Sequence, residues 1–301
     1  LNPTQDKSYF VGNDGGASTV FYNGSLKLAT TSGGIDVTGT VTSDGLTVDG
    51  NVSVDGGTIK LDGNYPTGAQ NVALGNTALD SISTGANNVA LGHAALTANV
   101  SGNNNIAIGT RALEDNTASN NIAIGHDSLT ANTSGTENVA LGRLTLDTNS
   151  TGSYNTAIGQ AALGANTSGA NNTAVGYLSL SQNTTGTLNV ALGGLTLDAN
   201  TSGINNTALG YAALSANTVG GYNTAVGQNA LQQNTTAYNN TAVGRSALAA
   251  NTTANSNAAF GYNALGANTT GATNTAIGTN TLQANTTASS NTAIGQGSGS
   301  L

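Results

Sequence analysis

From Asn71 to Gly295 one pattern of polar and apolar positions recurs: asparagine, a variable residue, alanine, a bulky apolar residue, glycine, and a leucine four places further on. The closing glycines stand at 75, 92, 109, 125, 142, 159, 176, 193, 210, 227, 244, 261, 278 and 295; twelve of the thirteen steps are 17 residues and one, Gly109 to Gly125, is 16. With each unit numbered from its glycine as position 0, alanine fills position −2 in all fourteen copies and leucine fills position +4 through the first thirteen, Leu79 to Leu282. Two apolar spots this short, set among Asn, Thr and Gly, have neither the 3.6-residue stripe nor the residue preferences of a helix. A fixed period of this kind marks an architecture in which each unit buries its apolar side only against its neighbours. The chain is therefore expected to be all-β, a parallel β-solenoid (β-roll) of about 14 coils with a 17-residue period. Each coil is expected to run through a strand, a glycine corner, a second strand and a polar corner.

A strand alternates its faces, so the bulky residue at −1 and the alanine at −2 point opposite ways. The alanine rank is expected to lie where another sheet or chain comes close. Asparagine stands at −4 in all fourteen copies (Asn71 to Asn291) and at +7 in twelve of thirteen. It tolerates the left-handed backbone of a corner, and stacked amides can hydrogen-bond into a ladder, so both columns read as structural. The one short step, "NTASNN" from Asn116 to Asn121, loses its residue from the polar corner alone, where deletions are tolerated.

Residues 1–63 obey a different rule. "SYFVGNDGGASTVFYNG" reads as two short strands around a turn at Asn13-Asp14-Gly15-Gly16. Beyond it the apolar pairs Ile35/Val37, Leu46/Val48, Val52/Val54 and Ile59/Leu61 alternate with glycine turns. Strands this short cannot enclose a core within one chain, whereas several chains wrapped together can. The expected division is a β-rich fibre shaft or connector at 1–63, belonging to an obligate homo-oligomer, a linker at 64–70 around Pro66, and the solenoid domain at 71–301.

Composition narrows the picture further. Only 7% of the chain is charged and 4% aromatic, with 42 glycines, so the core of each coil must be thin. Cysteine, methionine and tryptophan are absent, which removes disulfides and thiolate metal sites, leaves little that oxidises, and suits an exposed extracellular object. The net charge of −8 comes from scattered acids, so no basic surface for nucleic acid is expected. No apolar run approaches the length of a membrane span.

Chemistry-bearing residues are few. His93 and His126 both follow a closing glycine, two coils apart, which places them roughly 10 Å apart at the usual strand spacing, too far to share a metal within one chain. Glu114 and Asp115 are adjacent in a turn, and Asp147 and Asp198 are three coils apart; neither pair resembles two carboxyls facing across a cleft. The aspartate-bearing calcium nonapeptide is absent. The expectation is no catalytic residue, no metal site, no cofactor and no enzyme. Asn-Thr-Ser and Asn-Thr-Thr triplets, as at Asn132 and Asn251, match the glycosylation acceptor, but the period alone accounts for them. The variable positions hold Tyr177, Tyr211 and Tyr262 just after the glycine and Tyr154, Tyr222 and Tyr238 in the polar corner. An exposed tyrosine offers rigid contact area with a polar tip, so these six are the candidate receptor contacts.

The words "NVALGNTAL", "NIAIGTRAL" and "NTAIGQAAL" resemble the head repeats of YadA-like trimeric autotransporter adhesins, whose coils form a left-handed parallel β-roll and whose three chains associate side by side. The stretch "LATTSGGIDVTGTVTSDGLTVDGNVSVDGGTIKLDGNYPTG" is similar to shaft segments of phage tail fibres, notably those of marine phages. These resemblances imply a left-handed roll and a homotrimeric viral tail fibre, extracellular on the virion tail, that presents or forms the host-receptor-binding part. Its implied partners are itself, other virion tail proteins and a host cell-surface glycan or protein receptor, without nucleic acid and without membrane insertion. The alternative is the head of a bacterial trimeric autotransporter adhesin at the cell surface. A third reading is an ice-binding solenoid that stacks Thr156, Thr173, Thr207, Thr224, Thr241, Thr275 and Thr292 into a rank.

Overall fold

The computed structural model describes residues 9–11, 18–22, 25–31, 34–37 and 70–299, all of them strand, turn or irregular backbone with no helix. The chain divides into two compact units, Leu1–Ile59 and Lys60–Leu301. In the first, β1 (Tyr9–Val11), β2 (Thr19–Tyr22), β3 (Ser25–Thr31) and β4 (Gly34–Val37) form an antiparallel sheet in sequence order. The two strands read from the sequence pair with Phe10 opposite Val20, and a register shift between Val20 and Phe21 bends β2 against β3. The turn at Asn13 to Gly16, the pairs Leu46/Val48, Val52/Val54 and Ile59/Leu61, and the linker around Pro66 lie outside the described residues.

The second unit is a parallel β-solenoid. Fourteen three-residue strands, β5 (Val72–Leu74) through β10 (Thr156–Ile158) and β11 (Thr173–Val175) to β18 (Thr292–Ile294), stack in strict sequence order into one sheet joined by about thirteen turns. Equivalent residues of successive repeats sit side by side: Thr156 with Thr173, Ala157 with Ala174, Ile158 with Val175. The register survives the 16-residue step, where Ala107 still meets Ala123, because the missing residue comes from the corner.

Which face is the inside differs from expectation. The alanine at −2 points inward and is fully buried from Ala90 to Ala276, in one continuous core with the leucines at +4, fully buried from Leu79 to Leu265. No other chain is needed to cover that rank. The coil is too narrow to hold two large side chains facing each other, so a methyl group opposes each leucine and the bulky residue at −1 is turned out.

The leucine segment is a turn and not a second strand. Ala162 and Leu163 are consecutive and both fully buried, which the alternation of a strand forbids. The backbone solves this with left-handed residues, three non-glycine ones per coil, as at Tyr154 (φ 60°), Ala161 (54°) and Leu163 (52°). Such conformations cost about 1–2 kcal/mol each for an L-residue. They persist because the backbone stays hydrogen-bonded to both neighbouring coils right through the turn. Ala161 N–H donates back to Arg143 O (3.0 Å), Leu163 N–H forward to Ser179 O (3.0 Å), Ala165 N–H forward to Ser181 O (2.9 Å) and Asn171 N–H back to Ser153 O (3.0 Å). At position 0 only glycine serves: Gly159 has φ +124°, and a Cβ there would lie 2.6 Å from the carbonyl oxygen of Gly176 in the next coil.

The asparagine columns also lie inside the coil, fully buried along most of their length, and neither column supplies the left-handed residues; those at the corner stand one place earlier, at −5. Asn155 Nδ2 donates to Asn138 Oδ1 (3.2 Å) and to Gly169 O (2.9 Å), while Asn138 Oδ1 also accepts the backbone N–H of Asn155 (3.0 Å). In the second column Asn166 Nδ2 donates to Asn149 Oδ1 (2.7 Å) and to the same Gly169 O (3.0 Å). The two amide ladders therefore meet at one carbonyl per coil. Outside them a third column, threonine or serine at +8 in every coil but that of Val100, ties coil to coil, as in Thr167 Oγ1 to Thr184 O (3.0 Å).

Two outcomes are expected. Deleting one whole unit, Gln160 to Gly176, rejoins Gly159 to Tyr177 with every column in register, giving a folded protein shorter by about 4.8 Å; deleting nine residues from the same place puts polar residues on the leucine column and abolishes folding. Small-angle scattering and melting curves compare the two. Asn172→Ala leaves the backbone N–H of Asn189 without its acceptor, and a loss of about 2–4 kcal/mol is expected in denaturant titration.

Candidate functional site

With the interior committed to packing and ladders, any function falls to the outward columns. The largest is the flat face of the sheet, formed by positions −3 and −1. Thirteen strand spacings make it about 62 Å long, and two outward residues per strand give it an area on the order of 600 Å². Its aliphatic rank stays substantially exposed, as at Leu141 (40%), Leu209 (43%) and Ile277 (41%). The neighbouring rank is Val72, Val89, Ile106, Ile122 and Val139 in the first five strands and mainly threonine from Thr156 onward, interrupted by Val190 and Ala258. All the threonines named in the ice-binding reading thus lie on this face.

The charged side chains gather at one end of the solenoid. Asp80, His93, Arg111, Glu114, Asp115, His126, Asp127, Glu137, Arg143 and Asp147 all precede residue 148, and only Asp198 and Arg245 follow it. Both histidines are exposed. His126 Nδ1 lies 2.8 Å from Asp127 Oδ2, and Asp127 is gripped by Arg111 through Nε–Oδ1 (2.7 Å) and Nη2–Oδ2 (2.8 Å). This pairing joins adjacent coils beside the short step, and sequence reading did not find it. Among the described residues no three His, Asp or Glu side chains form a group that could hold a metal ion, and no helix is long and apolar enough to cross a membrane.

All six candidate tyrosines are exposed: Tyr154, Tyr177, Tyr211, Tyr222, Tyr238 and Tyr262. They divide between the two edges of the flat face. Tyr177, Tyr211 and Tyr262 share position +1, where Arg245 places its guanidinium 5.3 Å from the Tyr262 ring centre. Tyr154 and Tyr222 occupy the left-handed position −5, and Tyr238 stands one place before it, its hydroxyl donating to Val219 O (3.0 Å). Asn132 and Asn251, which begin glycosylation-type triplets, are ladder residues: their amide nitrogens are buried and bonded to Asn116 and Asn234 of the preceding coils. Glu114 and Asp115 lie together in a turn near this Arg111 cluster, whereas Asp147 and Asp198 are separated along the stack.

No protein-family model matches this chain, and no curated protein or solved structure matches it either.

Asp198 gives a test of the surface electrostatics. Its Oδ1 is buried without a hydrogen-bond partner, and desolvation pushes its carboxyl above the usual range, opposed by a bond from its own backbone amide. Asp147 is raised in the same way, desolvation again outweighing its backbone bonds. A folded-state pKa above the unfolded one means that protonation favours the fold. The stabilisation is complete below the unfolded pKa and is lost as pH rises through the folded one. Asp198→Asn is therefore expected to raise the melting temperature at neutral pH and to shrink the stability gained on acidification; calorimetry at pH 3 and pH 7 measures both.

Proposed function

We propose that this chain is a homotrimeric structural and attachment protein of the viral tail-fibre kind, in which the solenoid is a stiff segment that presents or forms the receptor-binding part. The observation that carries the reading is the exposed apolar rank along the flat face. Monomeric soluble proteins rarely leave a contiguous apolar patch larger than a few hundred Å² exposed, and here an unbroken apolar rank at −1 runs the full length of the face, joined by a second apolar rank in the first five strands. The interior does not need it. Self-association covers it, and closed symmetric assemblies are the common solution for a repeated face. In the first unit Val11 and Ile35 are also exposed, Ile35 at 66%, which supports cover by other chains there too. The three-chain count rests on the resemblance of the repeats and shaft. In the same reading the partners are other copies, virion tail proteins and a host-surface glycan or protein, and the location is extracellular.

The second reading, on the resemblance of the repeats, is the head of a bacterial trimeric autotransporter adhesin; flanking sequence separates the two, a membrane barrel downstream in one and a virion-attachment or chaperone domain in the other. The outward threonine rank favours one further reading, an ice-binding face. Association through that face and ice binding exclude each other, and thermal hysteresis in dilute solution identifies the second.

Sedimentation of the full chain is expected to give three times its 29.4 kDa mass. Ile158→Lys combined with Val175→Lys places charge on the flat face and is expected to give single chains with an unchanged far-ultraviolet spectrum. A wild-type chain that stays monomeric at micromolar concentration removes the proposal.

A further inference from the structure

Position +1 exposes one side chain per coil along the edge of the flat face. Over five consecutive coils this column reads Gln160, Tyr177, Gly194, Tyr211, Gln228, two amides bracketing two tyrosines about a bare glycine. Both tyrosines are 55% exposed, and two coils separate them, about 9.6 Å along the axis. The glycine is filled from its neighbour: a Cβ at Gly194 would meet Tyr211 Cδ2 at 3.7 Å and Cε2 at 3.9 Å. One edge of the Tyr211 ring, Cδ2 and Cε2, therefore lies beside Gly194 of the preceding coil, and the residue remains largely exposed. The residues at +2, Leu178 and Leu195, are half-buried beside it. Arginines occupy the same column on either side, Arg143 before Gln160 and Arg245 after Gln228, and no charged residue lies in the column between them.

We propose that this five-coil column is a binding site for a neutral oligosaccharide lying along the solenoid axis. Exposed tyrosine rings accept the C–H faces of pyranoses, giving rigid contact area at little entropic loss. The separation of Tyr177 and Tyr211 is close to the length of two pyranose units in an extended chain, so alternate sugars meet alternate rings. The exposed amides of Gln160 and Gln228 donate and accept hydrogen bonds as sugar hydroxyls require. Absence of charge within the column selects a neutral chain over an anionic one, whose carboxylates would gain no cationic partner between the two arginines. The opposite edge lacks this arrangement. Tyr238 lies over Gly221, where a Cβ would meet its Cε1 at 3.1 Å, but its hydroxyl is held by Val219, and Tyr222 is in the preceding coil, with no second ring two coils away in its column. The inference rests on the attachment reading, and it names the receptor chemistry as neutral carbohydrate.

The test is saturation-transfer NMR and titration of the full chain with neutral hexasaccharides, β-1,4-glucan, β-1,4-mannan and α-1,6-glucan, beside a galacturonate hexamer as the anionic comparator. At least one neutral hexamer is expected to bind, more tightly than the galacturonate. Tyr211→Ala is expected to weaken it about tenfold, the scale of one aromatic contact. Tyr177→Ala, two coils away in the same column, is expected to weaken it as well. Tyr238→Ala is expected to leave binding unchanged. No binding of any neutral hexamer at millimolar concentration overturns the proposal, as does tighter binding of the galacturonate, or equal losses in Tyr238→Ala and Tyr211→Ala. Sedimentation of the same samples reports the trimer separately, so loss of sugar binding in an intact trimer refutes the site without touching the assembly.

Discussion

Everything in the solenoid depends on the pair of buried asparagine ladders. An amide placed inside a protein costs stability unless its donors and acceptors are paired. Here, along most of the −4 column, a side chain uses both amide hydrogens and shares its oxygen between two donors of the next coil, as Asn155 and Asn172 illustrate. The pairing is complete only if the next coil arrives in the same register with the same residue. That requirement fixes the period, the parallel order of the strands and the alignment of every other column. It also explains how the chain shortens by one residue at the corner between Asn116 and Asn121 without disturbing the sheet: Asn121 N–H still donates to Asn105 Oδ1 at 2.9 Å.

The ladders let a coil dispense with a thick core. Its apolar interior is one leucine, one alanine from the strand and one small residue at +3. Where that residue is Ser or Thr, its hydroxyl bonds the backbone of the next coil, as Thr145 Oγ1 does to Gly159 O (2.9 Å) and Thr196 Oγ1 to Gly210 O (2.7 Å). Little surface is buried per coil, and the left-handed residues oppose folding. Stability is therefore a property of the stack, summed over nearest-neighbour interfaces as in other one-dimensional repeat proteins.

Much of this was legible in the sequence, for a physical reason. A column that must be identical in every coil writes itself as a period, so the closing glycine, the alanine, the leucine and both asparagine positions could be read directly. Orientation could not. Alternation says that Ala157 and Ile158 face opposite ways but not which is inside, and the usual preference for burying the larger residue fails in a coil too narrow for it. The leucine turn was hidden as well, because left-handed backbone at Leu163 or Ala161 leaves no mark in residue type once neighbouring coils hold it in place. Asparagine misled about location, since it marks corners in isolated turns and interiors in stacked ones. The Arg111–Asp127 contact and the ring of Tyr211 beside Gly194 involve single coils and so fall outside any periodic signal.

The distribution of variation follows from the same constraint. Positions that look inward or take part in the ladders cannot change without breaking a neighbour, while the side chains at +1, −5 and −6 stand outside the core and the ladders. Chemistry can accumulate there at almost no structural cost, and it has done so unevenly. Nearly all charge is confined to the coils before residue 148, and all six tyrosines of the repeats follow it. Identical backbone thus presents two different surfaces in succession along one axis. A ligand long enough to span several coils meets side chains spaced by the strand interval, so its own repeat distance, more than the identity of any one residue, decides whether it can make more than one contact at a time.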